Sequence, residues 1–241
     1  MNAIILAGGE GKRMHPLTAD IPKPMVKLKG IPILEHIILR LKRWEICNIY
    51  ISVGYKNNKI IDYFKDGKFL GVNIKYFIED KPLGTAGCIA GIDYNYNIYK
   101  DGNFFLMNGD VVTSIDFFDF AYNSLYYKDD ITMAIKCLKE KKEFGIVNIN
   151  PDTRNVCSVI ERPTDIFCVN AGLYCISPNV IDKVPLNQFY TMPELINFTI
   201  LEGGNVGMYN IGDDVLWKGI ENINDLMEIE NENIGYCSSQ E

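Results

Sequence analysis

A glycine loop, a cluster of cations and one well-placed carboxylate point to phosphate chemistry. Gly8, Gly9 and Gly11 follow the apolar run NAIILA directly, and Lys12 and Arg13 stand at the edge of the loop. Without a Cβ, backbone N–H groups can face phosphate oxygens at close range. Arg13 offers a fork of donors and Lys12 a point charge. Further on, Pro22 and Pro24 flank Lys23, which predicts an extended segment and a second clamp on the same polyanion. Asp110 ends NFFLMNGD, where a carboxylate makes sense if Mg²⁺ bridges it to phosphate oxygens. Each feature also has a plain structural reading: a tight turn, a solvated lysine, a capping aspartate. The glycine spacing matches neither G-x-G-x-x-G nor G-x-x-x-x-G-K-[ST], so a dinucleotide dehydrogenase and a P-loop NTPase both lose ground.

The elements that must position these residues alternate through the first half of the chain. NAIILA, NIYISV, VNIKYFI and NFFLM read as strands, and ILEHIILRLKRW, NNKIIDYFKD, TAGCIAGIDY and IDFFDFAYNSLYY as helices. Such alternation predicts an α/β fold, a mostly parallel sheet with helices on both sides. The glycine loop would then lie at the carboxyl end of the first strand, where ligands usually bind. In the second half ITMAIKCL, GIVNIN, VCSVIE and CVNAGLYCIS read as strands, with helices at MPELINFTIL and ENINDLMEIE. These strands are expected to extend the same sheet in mixed fashion and to carry a second substrate. The last residues, 236–241, read as a frayed tail.

Composition narrows the partners. The chain has 241 residues, 47% hydrophobic and 23% charged, with a net charge of −7. That balance suits a globular domain and advertises no surface to nucleic acid or to anionic membranes. The seven cysteines are spread singly, without a C-x-x-C pair, and with two histidines a zinc site is not expected. Reduced core thiols in a cytoplasmic protein are the better reading. No apolar stretch reaches membrane-spanning length, and Met1 leads into a strand rather than into a signal peptide. His36 falls in an amphipathic helix and reads as structural, whereas His15 adjoins the glycine loop.

LAGGEGKRM followed by PKPM resembles the signature of the sugar-1-phosphate nucleotidylyltransferases, LAGG-x-G-T-R-L … PKP. The likeness continues through IEDKPLGTAG, LMNGD, FGIVNI, VIERP and NAGLY. Lys12 and Met14 depart from the usual threonine and leucine. The resemblance implies a single Rossmann-like nucleotidyltransferase domain over residues 1–235, with a nucleotide-binding half, 1–127, and a sugar-binding half, 128–235. It implies transfer of a nucleotidyl group from an NTP to a sugar 1-phosphate, with release of pyrophosphate and with Mg²⁺ as cofactor. A homo-oligomer is compatible with it. No left-handed β-helix repeat follows residue 230, so an acyltransferase domain is not expected.

Carried over residue by residue, the resemblance makes Arg13, Lys23 and Asp110 catalytic. Leu6, Ala7, Gly8, Gly9, Gly11, Lys12, Glu79, Pro82, Gly84 and Thr85 would bind the nucleotide. Asn108, Gly109, Gly145, Glu161, Arg162, Asn170 and Gly172 would bind the sugar phosphate. Glu79 as an acceptor suits the adjacent ring N–H and amino donors of guanine, which favours GTP; uridylyl- and cytidylyltransferases of the same family stay open. LWKGIENINDL places Gly219 where many members have a second metal aspartate. Glu221, two residues on, is therefore expected to join Asp110 on the metal, and Asp225 to be solvated on the next helix. Outside the family, a nucleotide-sugar-binding regulatory protein or a glycosyltransferase would bind similar ligands. NGDVV lacks the D-x-D motif of the latter, and intact Arg13, Lys23 and Asp110 argue against the former.

Overall fold

A computed structural model of the chain describes residues 1–232, and the expected tail at 236–241 lies outside them. NAIILA forms strand β1, Asn2–Ala7, buried on both faces as an unbroken apolar run requires. A small hairpin of β2, Lys27–Leu28, and β3, Ile31–Pro32, precedes helix α1, Ile33–Arg43. There follow β4, Asn48–Val53; α2, Asn57–Phe64; β5, Asn73–Ile78; α3, Cys88–Tyr96; and β6, Phe104–Asn108. β7, Val111–Thr113, leads to α4, Phe117–Tyr127. The remainder comprises β8, Ile131–Lys141; β9, Ile146–Asn150; β10, Asn155–Ile160; β11, Thr164–Ile176; and α5, Met192–Leu201. β12, Val206–Asn210; β13, Trp217–Gly219; and α6, Ile223–Asn231, complete it.

The main sheet runs β12-β8-β11-β6-β1-β4-β5. β6, β1, β4 and β5 are parallel, β11 is antiparallel to both its neighbours, and β12 is parallel to β8. Both halves of the chain thus share one mixed, mostly parallel sheet. One apolar layer holds Ile33, Leu34 and Ile38 of α1, Phe64 of α2, Phe120 of α4 and Ile229 of α6. The other holds Ile89 and Ile92 of α3 and Leu195 of α5. Phe105 of β6 lies edge-on to Phe117 with ring centres 5.0 Å apart, which pins α4 to the centre of the sheet. Among the described residues no helix is long and apolar enough to cross a membrane.

Two expectations need correction. GIVNIN and VCSVIE do not extend the main sheet. They form β9 and β10, a separate antiparallel ribbon whose apolar residues, such as Ile149 and Val159, are largely exposed. The reason is length: β8 and β11 pair far along their 11 and 13 residues, and the ribbon is the excursion between them. The same pairing sets Cys137 directly opposite Cys168, with Cα atoms 4.0 Å apart, and the two form a disulfide rather than free thiols. Of the other cysteines, Cys88 and Cys175 are the expected buried thiols, burial pushing Cys88 up to about 12, while Cys47 and Cys157 are exposed. Cys237 lies outside the described residues.

Candidate active site

The carboxyl ends of β1, β4 and β6 open into a cleft of about 670 Å³. Parallel strands direct their following loops to this side, so the cleft collects the loops that the sequence singles out. Leu6, Ala7, Gly8 and Gly9 line it from the first loop, and Asn108, Gly109 and Asp110 from the end of β6. Glu79, Pro82, Gly84 and Thr85 line it from the segment before α3, and Lys23 from its proline-flanked turn. Lys23 opens a single 3-10 turn, Lys23–Met25, instead of the extended stretch expected, because Pro22 and Lys23 carbonyls accept from Met25 and Val26.

Backbone contacts hold these loops together. Gly109 N donates to Leu6 O at 2.8 Å, and a Cβ on Gly109 would lie 2.6 Å from that oxygen. Gly11 has φ 66°, and a Cβ there would lie 2.7 Å from the Cβ of Lys23. The glycine loop therefore wraps the stem of Lys23, and two sequence features twelve residues apart, Gly11 and Lys23, are one structural unit.

One charge pair, Lys23 with Asp110, lines the cleft, and a second, Arg13 with Glu221, lies outside its lining. Lys23 Nζ donates to Asp110 Oδ2, with both side chains mostly buried. Arg13 Nη1 donates to Glu221 Oε2, a pair more than half exposed and so weakened by solvent. Glu221 follows β13, whose antiparallel pairing with β7 places Gly219 opposite Val111. Ile220 N then donates to Asp110 O at 2.9 Å. Among the described residues no three or more His, Cys, Asp or Glu groups converge on a metal position. Two hard carboxylates completed by phosphate oxygens and water is, however, the coordination Mg²⁺ favours, and the donor set fits it.

Asp225 is not solvated, as expected from sequence, but closes a capping box on α6. Its carboxylate accepts from Glu221 N at 2.9 Å and Asn222 N at 3.0 Å, with Lys218 Nζ 3.5 Å away. Burial opposes its charge, yet those two N–H groups and Lys218 outweigh burial and hold its pKa low. Asp225 thus fixes the backbone of Glu221. Glu79 is also held: Ser52 Oγ donates to Oε1 at 2.6 Å and Leu83 N to Oε2 at 2.9 Å.

Other predicted residues lie apart. Lys12 pairs with Glu10 at 2.8 Å on the surface, outside the cleft lining. Gly145 precedes the ribbon and sits beside Glu161, and Arg162 Nε lies 3.6 Å from Glu161 Oε1; none of the three lines the cleft. Asn170 and Gly172 occupy a bulge in β11. There Asn170 accepts from Gly172 N at 2.9 Å and donates to Tyr174 OH at 2.5 Å, and Gly172 backs onto Asn108. His36 is buried, its Nε2 2.8 Å from Leu28 O. The sequence reading missed Gly54, Tyr55 and Phe189, which also line the cleft. Gly54 and Tyr55 follow β4, and the rule that placed the first loop would have found them. Phe189 comes from an irregular segment before α5 that carries no local signal.

The pattern of the family described as Nucleotidyl transferase matches residues 2–234. The D-glycero-alpha-D-manno-heptose 1-phosphate guanylyltransferase of Campylobacter jejuni is 32% identical over 200 residues, 81% of this chain and 85% of that protein. The mannose-1-phosphate guanylyltransferase of Mycobacterium tuberculosis is 30% identical over 90% of this chain, which spans 60% of that protein's length. HddC from Yersinia pseudotuberculosis, solved in complex with GMP-PN, superposes with a TM-score of 0.71 at 26% identity. The match covers 94% of this chain and 96% of that one.

Proposed function

The chain belongs to the nucleotidyl transferase family, and from that premise we propose that it transfers GMP from GTP to a sugar 1-phosphate of manno configuration. The observation that carries this reading is the convergence of the glycine loop, Lys23, Asp110 and Glu79 on one cleft. The guanine preference is supported by the acceptor chemistry of Glu79 and by relatives named as guanylyltransferases. The acceptor is inferred from those same names, since mannose and D-glycero-D-manno-heptose share the manno ring.

In this reading residues 1–127 hold the nucleotide and 128–235 the acceptor. A phosphate oxygen of the sugar phosphate attacks the α-phosphorus in line. The new P–O bond forms as the bond from the α-phosphorus to the β-phosphate oxygen breaks, and pyrophosphate leaves with the electron pair. The attacking oxygen is already anionic, so no general base is needed. The first-loop N–H groups and Lys23 orient the triphosphate, and Arg13 offsets its charge. Arg162 lies outside the cleft lining, so its assignment to the acceptor phosphate rests on the resemblance of VIERP to the family and requires the ribbon to close over the cleft. Asp110 and Glu221 would hold Mg²⁺, which when bound neutralises charge on the phosphates. Both substrates are charged phosphates, which do not cross a bilayer unaided, so we place the reaction in the cytoplasm, a compartment in which the Cys137–Cys168 disulfide is unusual.

Purified protein with Mg²⁺, GTP and mannose 1-phosphate or the heptose 1-phosphate should release pyrophosphate faster than with UTP, CTP or ATP. No release with any NTP and sugar 1-phosphate would refute the assignment. Glu221→Gln should raise the Mg²⁺ concentration needed for half-maximal rate and lower turnover. An unchanged Mg²⁺ titration would remove Glu221 from the metal. Asp225→Asn should shift the same titration less and cost about 1 kcal/mol through the weakened cap, read by thermal melting.

A further inference from the structure

We propose that Ser52 is a positioning residue for base selection: it locks the Glu79 carboxylate in the one orientation that reads two adjacent donors. The inference rests on the proposal that Glu79 contacts the base. Ser52 lies on β4, is fully buried and does not itself line the cleft. Its Oγ sits 2.6 Å from Glu79 Oε1. An ionised carboxylate only accepts, so the hydroxyl must donate. On the other oxygen, Leu83 N donates to Oε2 at 2.9 Å. The two donors come from different elements, β4 and the loop before α3, and together they fix the plane of the carboxylate.

That plane matters because of what remains unused. Each carboxylate oxygen has a second acceptor site. Glu79 lines the cleft, so these sites are available to a ligand there. Guanine presents a ring N–H and an amino group side by side, a match for two acceptors held in a fixed plane. Hypoxanthine and uracil each present one ring N–H without the adjacent amino group. A freely rotating carboxylate would turn to meet any single donor and so discriminate poorly; a clamped one cannot. The buried Cys88 thiol stays protonated, burial and the Glu79 charge both pushing it up, so no thiolate competes for Ser52.

The test compares GTP with inosine triphosphate, which lacks only the 2-amino group, in pyrophosphate release by wild type, Ser52→Ala, Ser52→Thr and Glu79→Gln. Wild type should favour GTP. Ser52→Ala should lose about tenfold of that preference, a change of about 1.4 kcal/mol. The loss should appear in KM, with kcat within about twofold. Ser52→Thr, which keeps the hydroxyl, should restore the preference. Ser52→Cys, nearly isosteric and a weak donor, gives the same readout if the alanine variant fails to fold. If Glu79→Gln abolishes the preference while the Ser52 variants keep the wild-type ratio, the positioning role is overturned and the base contact stands. Should Glu79→Gln keep the ratio, the base contact itself fails, and Ser52 with it. A Ser52→Ala protein that loses kcat equally with both nucleotides has lost only structure, which also overturns the proposal.

Discussion

Asp110→Asn is expected to slow pyrophosphate release about a thousandfold while leaving the fold in place. Asparagine keeps the size of the side chain and one acceptor oxygen, so Lys23 Nζ, now paired with Asp110 Oδ2, still has a hydrogen-bond partner. What disappears is the negative charge in a site whose substrates are polyanions and whose cations must be shared among them. Lys23 is only 12% exposed, so solvent screens this change weakly. The melting temperature should stay within a few degrees of wild type, read by circular dichroism. A rate near wild type from a well-folded variant would show that the Asp110 charge takes no part.

Gly109→Ala should damage both stability and turnover. The added methyl would lie 2.6 Å from Leu6 O, and that oxygen is backbone, already bonded to Gly109 N. Either β1 or β6 must move. Overpacking of this kind costs about 1–3 kcal/mol, or roughly 2–10 °C in melting temperature for a chain of this size. The shift also displaces the glycine loop from Asp110, and a misplacement of about 1 Å can cost about a hundredfold in rate. Gly9→Ala is the control, since a Cβ there meets nothing within 4 Å. It should melt like wild type, so any loss of activity reports on ligand approach. A Gly109→Ala protein with wild-type melting and rate would contradict the contact.

Much of this was legible in the sequence because local pattern decided it. NAIILA could only be a strand buried on both faces, and MPELINFTIL became α5 over Met192–Leu201 with Thr191 and Glu194 closing the capping box. Of the site, the residues in loops after parallel strands could be placed, since chain direction alone sends those loops to one side. Facts that depend on register or on distant partners were not legible. The pairing of Cys137 with Cys168 follows from the alignment of β8 with β11 across 31 residues. A ribbon and a sheet strand share the same alternation, so β9 and β10 could not be told from members of the main sheet. Asp225 looked like one more charge on a helix surface because the N–H groups it accepts from belong to the turn before the helix.

The long arms of β8 and β11 have a mechanical consequence. From the bulge at Asn170 the outer part of β11 runs back to Thr164, about 20 Å at the rise of an extended strand. The ribbon with Glu161 and Arg162 is mounted on the end of this beam, and the cleft lies at its root. A rotation of about 10° at the bulge carries the tip through roughly 3 Å by that length, comparable to one hydrogen bond. The Cys137–Cys168 link crosses the beam two residues from Asn170, so the two arms cannot slide past one another and must bend as one. Bending is thereby concentrated at the bulge, where Gly172 backs onto Asn108 in the cleft wall. This arm is built as a cantilever, stiff along its length and compliant at its fixing.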